Sequence, residues 1–296
     1  MQTQMRPKAA LIASMVIFGT IGVFRRYIPL PSSLIAALRG LIGMLFLLGL
    51  MAVRGERLSM QAIRRHAPVL FLSSVAMGFN WILLFEAYRY TSVAAATLCY
   101  YMAPMLVILA SPVLLGERIS RRKLICVAAA LVGMVLVSGV LRVGVTGRSE
   151  LRGILFGLGA AVLYASVILL NKRLGEVAAF DRTVVQLGMA AVVLLPYSLL
   201  TETIALAPGV GGGFLLVAAM MLLVGVVHTG VAYAMYFGSI KALPAQTVAL
   251  MSYIDPIVAI LLGALLLGEA MGMQEAIGAA LVLGAAVVSE LPEKGR

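Results

Sequence analysis

Long apolar runs separated by short polar joints make up almost the whole chain. Each run holds about 20 mainly apolar residues, the length that an α-helix needs to cross the hydrocarbon core of a bilayer. Ten runs are predicted as membrane-spanning helices, at residues 8–24, 32–53, 67–88, 91–114, 122–141, 153–171, 183–201, 212–238, 244–267 and 273–290. The pattern therefore predicts an all-α integral membrane protein.

A stretch in the first half of the chain recurs in the second half at an offset of 152 residues. The offset superimposes Tyr101 on Tyr253, Pro104 on Pro256, and the Leu-Gly-Glu triplet at 115–117 on the triplet at 267–269. Such an internal repeat indicates two copies of one structural unit. We divide the chain into residues 1–148 and 149–296, each with five predicted helices.

Basic residues distinguish the two copies and predict their orientation. The first triplet is followed by Arg118, Arg121, Arg122 and Lys123, whereas the second is followed by no basic residue before its next apolar run. Because cytoplasmic loops are rich in Lys and Arg, the two triplets are expected on opposite sides of the membrane. Two homologous units inserted upside down form an inverted repeat, which is typical of transporters with a substrate site at the midplane.

Composition supports this interpretation and excludes other classes. The chain is 62% hydrophobic and 12% charged, so a soluble core could not bury its apolar runs. With the N terminus inside, sixteen Lys and Arg residues fall on cytoplasmic segments and six on outside loops, which predicts both termini in the cytoplasm. The net charge of +11 comes from short clusters between apolar runs and predicts topology, not nucleic-acid binding.

Motifs for metals, cofactors and ATP are absent from the sequence. Cys99 and Cys126 lie inside apolar runs without CxxC spacing, so we interpret both as packing residues. No GxxxxGK[ST] sequence occurs, and the energy for transport would come from a gradient or from the substrate itself. The expected partners are a small-molecule substrate and membrane lipid, with no cofactor and no metal.

The residues also resemble a known family. The first predicted helix contains Phe18-Gly19-Thr20, the second contains Arg39, and the sequences AYRYTSVAAATL and LLGERIS flank a mid-helix Pro104. This pattern resembles the EamA family of the drug/metabolite transporter superfamily, over essentially the whole chain. The resemblance implies a ten-helix carrier of the inner membrane, in a family of which many members export amino acids, their derivatives or other small metabolites.

Asp255 and His228 are ionisable residues predicted at the midplane of the ninth and eighth helices. Asp255 stands where the first copy has Ala103, and Pro256 beside it removes a backbone donor. Asp255 either takes up a proton or binds a substrate ammonium, or it is a structural acid that is neutral or paired with Arg. His228 is either an interhelical hydrogen bonder or a proton relay or substrate ligand, and the two residues could exchange protons if they met.

Arg39 and Glu86 are predicted at comparable depth in the outer portions of the second and third helices. An ion pair between them is the favoured interpretation, because each charge alone is costly inside a bilayer. In the alternative, Arg39 holds a substrate carboxylate, and Glu86 is its counter-charge in the free state. Glu86 is also a candidate for proton coupling.

Aromatic and amide side chains supply the remaining candidates for substrate binding. They are Asn80, Trp81, Tyr100, Tyr101, Tyr164, Tyr233, Tyr236 and Tyr253. Each either lines a central cavity or packs with a satisfied hydroxyl or N–H group. Tyr101 and Tyr253 stand three residues before Pro104 and Pro256, so repeat symmetry predicts that the tyrosines lie together, and both prolines are predicted hinges.

The favoured function is a secondary transporter that moves a small metabolite by alternating access, with export implied by the resemblance. An importer, a channel and an intramembrane enzyme are the alternatives. No HExxH or GxSxG sequence occurs, so no catalytic residue is predicted. The polar residues are too sparse for a pore-lining ring. Small residues on the fifth and tenth helices permit close packing within one chain or in a homodimer, so monomer and homodimer both stay open.

Overall fold

The computed structural model of the chain describes residues 2–25, 27–91, 93–138, 148–202, 214–267 and 272–291. Within these ranges the secondary structure is helical and contains no strand, which confirms the all-α prediction there. The helices are α1 Gln2–Arg25, α2 Ser32–Val53, α3 Met60–Arg65, α4 Ala67–Tyr90, α5 Val93–Tyr100, α6 Ala103–Leu115, α7 Arg121–Ser138, α8 Arg148–Arg173, α9 Ala179–Thr201, α10 Phe214–Gly225, α11 Ala232–Ala242, α12 Ala245–Met251, α13 Ile254–Leu267 and α14 Met273–Glu290. A π-helical segment, Val226–Val231, joins α10 to α11.

Six stretches of the described residues are long and apolar enough to cross a membrane. They are Ser32–Val53, Ala67–Tyr90, Leu98–Leu115, Ser149–Arg173, Ala179–Thr201 and Phe214–Ala242. Helices can lie in the hydrocarbon core because their backbone groups are satisfied within the segment. The chain is therefore a multi-pass membrane protein, and the crossing by all ten predicted helices remains a prediction.

Two helical stretches are broken near their middle, where the repeat places its prolines. The helix α5 gives way to α6, and α12 gives way to α13, each through two residues in a turn conformation. Pro104 is the second residue of α6 and Pro256 the third of α13, positions at which a helix needs no N–H donor. The structure thus has discontinuities at both predicted hinges, and their motion remains a prediction.

Helices from the two halves pack against one another throughout the bundle. The helix α4 contacts α8 and α9, α2 contacts α9, α1 contacts α11 and α13, and α7 contacts α14. The contact of α7 with α14 uses the small residues that were noted in the fifth and tenth predicted helices. A Cβ atom on Gly133 would lie 2.7 Å from the carbonyl oxygen of Gly278, so only glycine fits there.

Gly133→Ala is therefore expected to destabilise the protein. The added methyl group must push backbone away, and overpacking of this kind costs about 1–3 kcal/mol. Thermal unfolding in detergent should show a lower midpoint for this variant. Gly284→Ala on α14 is the matched control, because a Cβ atom there meets no atom within 4 Å. Equal midpoints for the two variants would contradict the close packing of α7 with α14.

Candidate functional site

A cavity of about 320 Å³ lies in the middle of the bundle. Its walls come from α1, α2, α4, α8 and α11 and from both helix breaks. Nine of the eleven predicted candidates for substrate binding line this central cavity, namely Arg39, Asn80, Trp81, Tyr100, Tyr101, Tyr164, Tyr233, Tyr236 and Asp255. The other two, His228 and Tyr253, are buried and do not line it. The structure therefore brings most of the predicted site together.

Tyrosine hydroxyl groups connect the two helix breaks to each other and to Asp255. The hydroxyl of Tyr101, in the first break, donates to Oδ2 of Asp255 at 3.5 Å. The hydroxyl of Tyr253, in the second break, donates to the backbone carbonyl of Tyr101 at 3.0 Å. The two rings lie 6.4 Å apart between centroids, which confirms the predicted proximity of these tyrosines. The two breaks and Asp255 are therefore connected through Tyr101.

Arg39 faces an aromatic ring, and the predicted ion pair with Glu86 is wrong. The Arg39 guanidinium lies 4.8 Å from the ring centroid of Trp81, and its buried Nε atom has no hydrogen-bond partner in the described part of the chain. Glu86 instead accepts hydrogen bonds from Arg89, at 3.0 Å, and from Tyr197. Arg89 lies three residues after Glu86 on the same face of α4, which makes it the nearer partner. In the described part of the chain, no carboxylate forms a salt bridge with Arg39.

A model of the EamA-like transporter family matches residues 8–139 and matches again at residues 151–290. The chain belongs to this family. Uncharacterized transporter YxxF of Bacillus subtilis (strain 168) is 27% identical over 288 residues, which cover 97% of this chain and 90% of that relative. An uncharacterized transporter of Archaeoglobus fulgidus is 29% identical over 287 residues, which cover 95% of each chain.

The fold of this EamA-like transporter is also that of a solved protein. A crystal structure at 20% sequence identity superimposes with a TM-score of 0.84, over 96% of this chain and 98% of the other. The likeness concerns the fold alone. The family and the names of the relatives point to a transporter, which is not an enzyme.

Tyrosines form a hydrogen-bonded wall on one side of the central cavity of this EamA-like chain. The rings of Tyr100 and Tyr164 stack at 5.3 Å, and the hydroxyl groups of Tyr164 and Tyr236 lie 3.2 Å apart. Asn80 donates from Nδ2 to the carbonyl of Ala160 at 2.6 Å, which anchors α4 to α8. The wall thus combines apolar faces with hydroxyl groups that can bind a polar ligand.

Several residues that line the cavity were not predicted, among them Phe18 and Ser252. Phe18 contacts the ring of Tyr233 at 4.9 Å and closes the cavity against α1, and Ser252 lies in the second break. A phenylalanine or a serine within an apolar run is indistinguishable from packing residues in sequence. Ser252 could have been noted only from its place near Pro256 in the repeat.

His228 and Asp255 have different partners. The Nε2 atom of His228 lies 2.8 Å from Oγ1 of Thr20 on α1, and its ring packs on Phe24 at 5.0 Å between centroids. His228 is thus an interhelical hydrogen bonder, which was one of the two predicted alternatives. It lies in the π-helical segment, which no residue pattern had indicated and which is a feature often found at functional sites.

A layer of polar contacts links the C-terminal ends of α6, α8 and α11 to the start of α12. The carboxylate of Glu117, from the first Leu-Gly-Glu triplet, accepts from the backbone N–H groups of Ala245, at 2.8 Å, and Gln246, at 3.4 Å. Lys172 donates to the carbonyl of Leu243. The corresponding second triplet, at 267–269, lies outside the described residues beyond its first position. We call the contact of Glu117 with the first residues of α12 the Glu117 clasp.

Arg182 lies within the same layer and is 1% exposed. Its guanidinium donates to the carbonyls of Asn171, at 3.0 Å, and Leu174, at 3.4 Å, and also to the carbonyl of Phe237. These backbone acceptors lie at the end of α8, in the loop that follows it and on α11. Arg182 therefore ties three parts of the bundle together at this end.

Proposed function

We propose that this protein is a secondary transporter that moves a small zwitterionic metabolite, such as an amino acid, by alternating access. The observation that carries the proposal is the charge of the central cavity, whose lining contains one cation, Arg39, and one acid, Asp255, between aromatic walls. A guanidinium binds a carboxylate and a carboxylate binds an ammonium, so the pair suits a molecule with both charges. The direction of transport in the proposal is export, as the resemblance implies.

The proposal includes ten membrane-spanning helices in two inverted halves, residues 1–148 and 149–296. The double match of the family model, on either side of this division, supports it. The packing of equivalent helices supports it too. The helix α2 packs on α9, and α7 packs on α14. The helix α4 packs on α8, the first helix of the second half, and α11 packs on α1, the first helix of the first half. Basic residues favour cytoplasmic termini in the inner membrane.

Access to the central cavity would alternate between the two ends of the bundle. The Glu117 clasp and Arg182 hold one end closed. At the other end, a second cavity of about 310 Å³ adjoins the central cavity. In the proposed orientation the closed end is cytoplasmic, and the molecule is in an outward-facing state. The breaks beside Pro104 and Pro256 would let the helix halves move.

Proton coupling forms the last part of the proposal. Asp255 can take up a proton in the cavity that holds the substrate, so protonation and binding would compete at one carboxylate. His228 and Glu86 remain predicted participants, with Thr20 and Arg89 as their present partners. Monomer and homodimer both remain predictions.

Counterflow in proteoliposomes tests the function. Vesicles loaded with a mixed pool of amino acids and metabolites are assayed for exchange of each labelled solute, with and without a pH gradient. Saturable exchange of a zwitterion, accelerated by a gradient, is expected. Flux that rises linearly with concentration would indicate a channel, and conversion of the solute would indicate an enzyme. Exchange confined to solutes with a single charge would contradict the proposed substrate class.

A further inference from the structure

The second cavity adjoins the central cavity, and half of its lining residues, Arg39 among them, line both. It lies where α1 ends and α2 begins, next to α10 and the second half of α4. The residues that line it alone are Ile28, Ser32, Ile35, Ala36 and Val224. On the orientation proposed above, this is the outer end of the bundle.

The walls of the second cavity are apolar and held by packing. Ile28, Ile35 and Val224 belong to one buried cluster with Met221, so their side chains are held in place. A space of about 310 Å³ lies at the lower end of the size range of small-molecule sites. Such walls suit the apolar body of a small organic ligand.

Arg39 is the only charged residue among those that line the second cavity. Its guanidinium forms no salt bridge with a carboxylate of the described residues, and its Nε atom lacks a hydrogen-bond partner among them. No acid is among the residues that line the second cavity, and a cation in apolar surroundings favours an anionic partner. A carboxylate fits best because it meets the planar guanidinium with two parallel hydrogen bonds.

We propose that the second cavity is a separate binding site for an organic monoanion with an apolar body. The carboxylate binds Arg39, and the apolar body lies between Ile35 and Val224. The central cavity selects a different ligand, because Asp255 faces it and its carboxylate repels an anion that carries no compensating positive charge. An anion bound in the second cavity occupies Arg39 and blocks the way from the central cavity to this end of the bundle.

Trp81 provides a direct test of binding that does not depend on transport. It is the only tryptophan in the chain, and the Arg39 guanidinium lies 4.8 Å from its ring. The full chain, in discs of neutral phosphatidylcholine, is titrated with 4-phenylbutyrate and with the neutral amide of that acid. We expect a saturable change in Trp81 fluorescence with the acid, and binding of the amide weaker by about tenfold or more. Equal binding of acid and amide, or no response to the acid, would overturn the proposal.

Variants then locate the bound anion. Ile35→Ala and Val224→Ala remove apolar contact and are expected to weaken binding of 4-phenylbutyrate about tenfold together. Leu45→Ala is the matched control on α2, since this side chain is 55% exposed and lines neither cavity. Asp255→Asn is the comparison, because it removes the charge that repels an anion from the central cavity. Tighter binding in Asp255→Asn, with no effect of Ile35→Ala, would place the anion in the central cavity and overturn the proposal.

Discussion

Asp255→Asn is expected to reduce saturable counterflow by about tenfold to a hundredfold, the effect of losing one charged hydrogen-bonding partner. The asparagine side chain has the same shape, so the hydrogen bond from Tyr101 can persist while the negative charge is removed. A substrate ammonium then loses its partner, and the cavity loses a group that can carry a proton. Proteoliposome counterflow with the substrate identified for the intact protein measures the loss.

The pH gradient separates the two roles of Asp255. If the carboxylate carries the coupled proton, residual flux in Asp255→Asn should no longer respond to the gradient, whereas flux in the intact protein should. Glu176→Gln is the matched control, because Glu176 lies in the loop after α8, where it contacts His66 and Arg65 at the protein surface. Full, gradient-driven flux in Asp255→Asn would make Asp255 a structural acid and leave Arg39 as the remaining charged candidate.

In Glu117→Ala, the population of the state that is open at the Glu117 clasp is expected to rise about tenfold or more. The substitution removes the acceptor of two backbone N–H groups, and a hydrogen bond to a charged group contributes about 1.5–3 kcal/mol. The side chain of Gln246 still bonds to Ser111 at 3.0 Å and to the carbonyl of Arg118 at 3.3 Å, so the end is loosened and does not unfold. Glu117→Gln keeps one acceptor oxygen and should have a smaller effect.

Cysteine labelling at the cavity measures this opening. Ser252→Cys is introduced after Cys99 and Cys126 are replaced by alanine, and a membrane-impermeant maleimide is added from the side of the Glu117 clasp. Labelling should be about tenfold faster in Glu117→Ala, in proportion to the opening. Glu56→Ala is the control, since Glu56 is an exposed acid in the loop after α2. An unchanged labelling rate in Glu117→Ala would show that the clasp does not hold this end closed.

The Glu117 clasp and Asp255 lie at opposite ends of α12 and of the turn that follows it. Glu117 holds the first residues of α12, and Asp255 lies two residues beyond the turn at Ser252–Tyr253. We propose that a ligand at Asp255 acts on the turn, and that a displaced α12 weakens the clasp. Binding at the cavity and closure at one end would thereby be coupled through a single short helix.

Sequence periodicity and the repeat determined the helical class, the positions of the apolar helices, the two breaks and the meeting of Tyr101 with Tyr253. These features depend on residue type and on local spacing. Apolar runs must be helical in a bilayer, and a proline interrupts the ladder of hydrogen bonds wherever it stands. The charged candidates of the cavity were also predictable, because an ionisable residue is rare within an apolar run.

The tertiary structure alone decided which of these residues become partners. The sequence predicts a similar membrane depth for Arg39 and Glu86. In the structure, however, Glu86 contacts Arg89 and Tyr197. Arg39 instead faces Trp81, between the two cavities. The layer around Glu117 and Arg182 was not predictable, since its acceptors and donors are mostly backbone groups, which every residue carries. Residue identity sets which elements form and how deep a charge lies in the membrane. The rotation of each helix and its packing against helices distant in sequence determine which groups contact that charge.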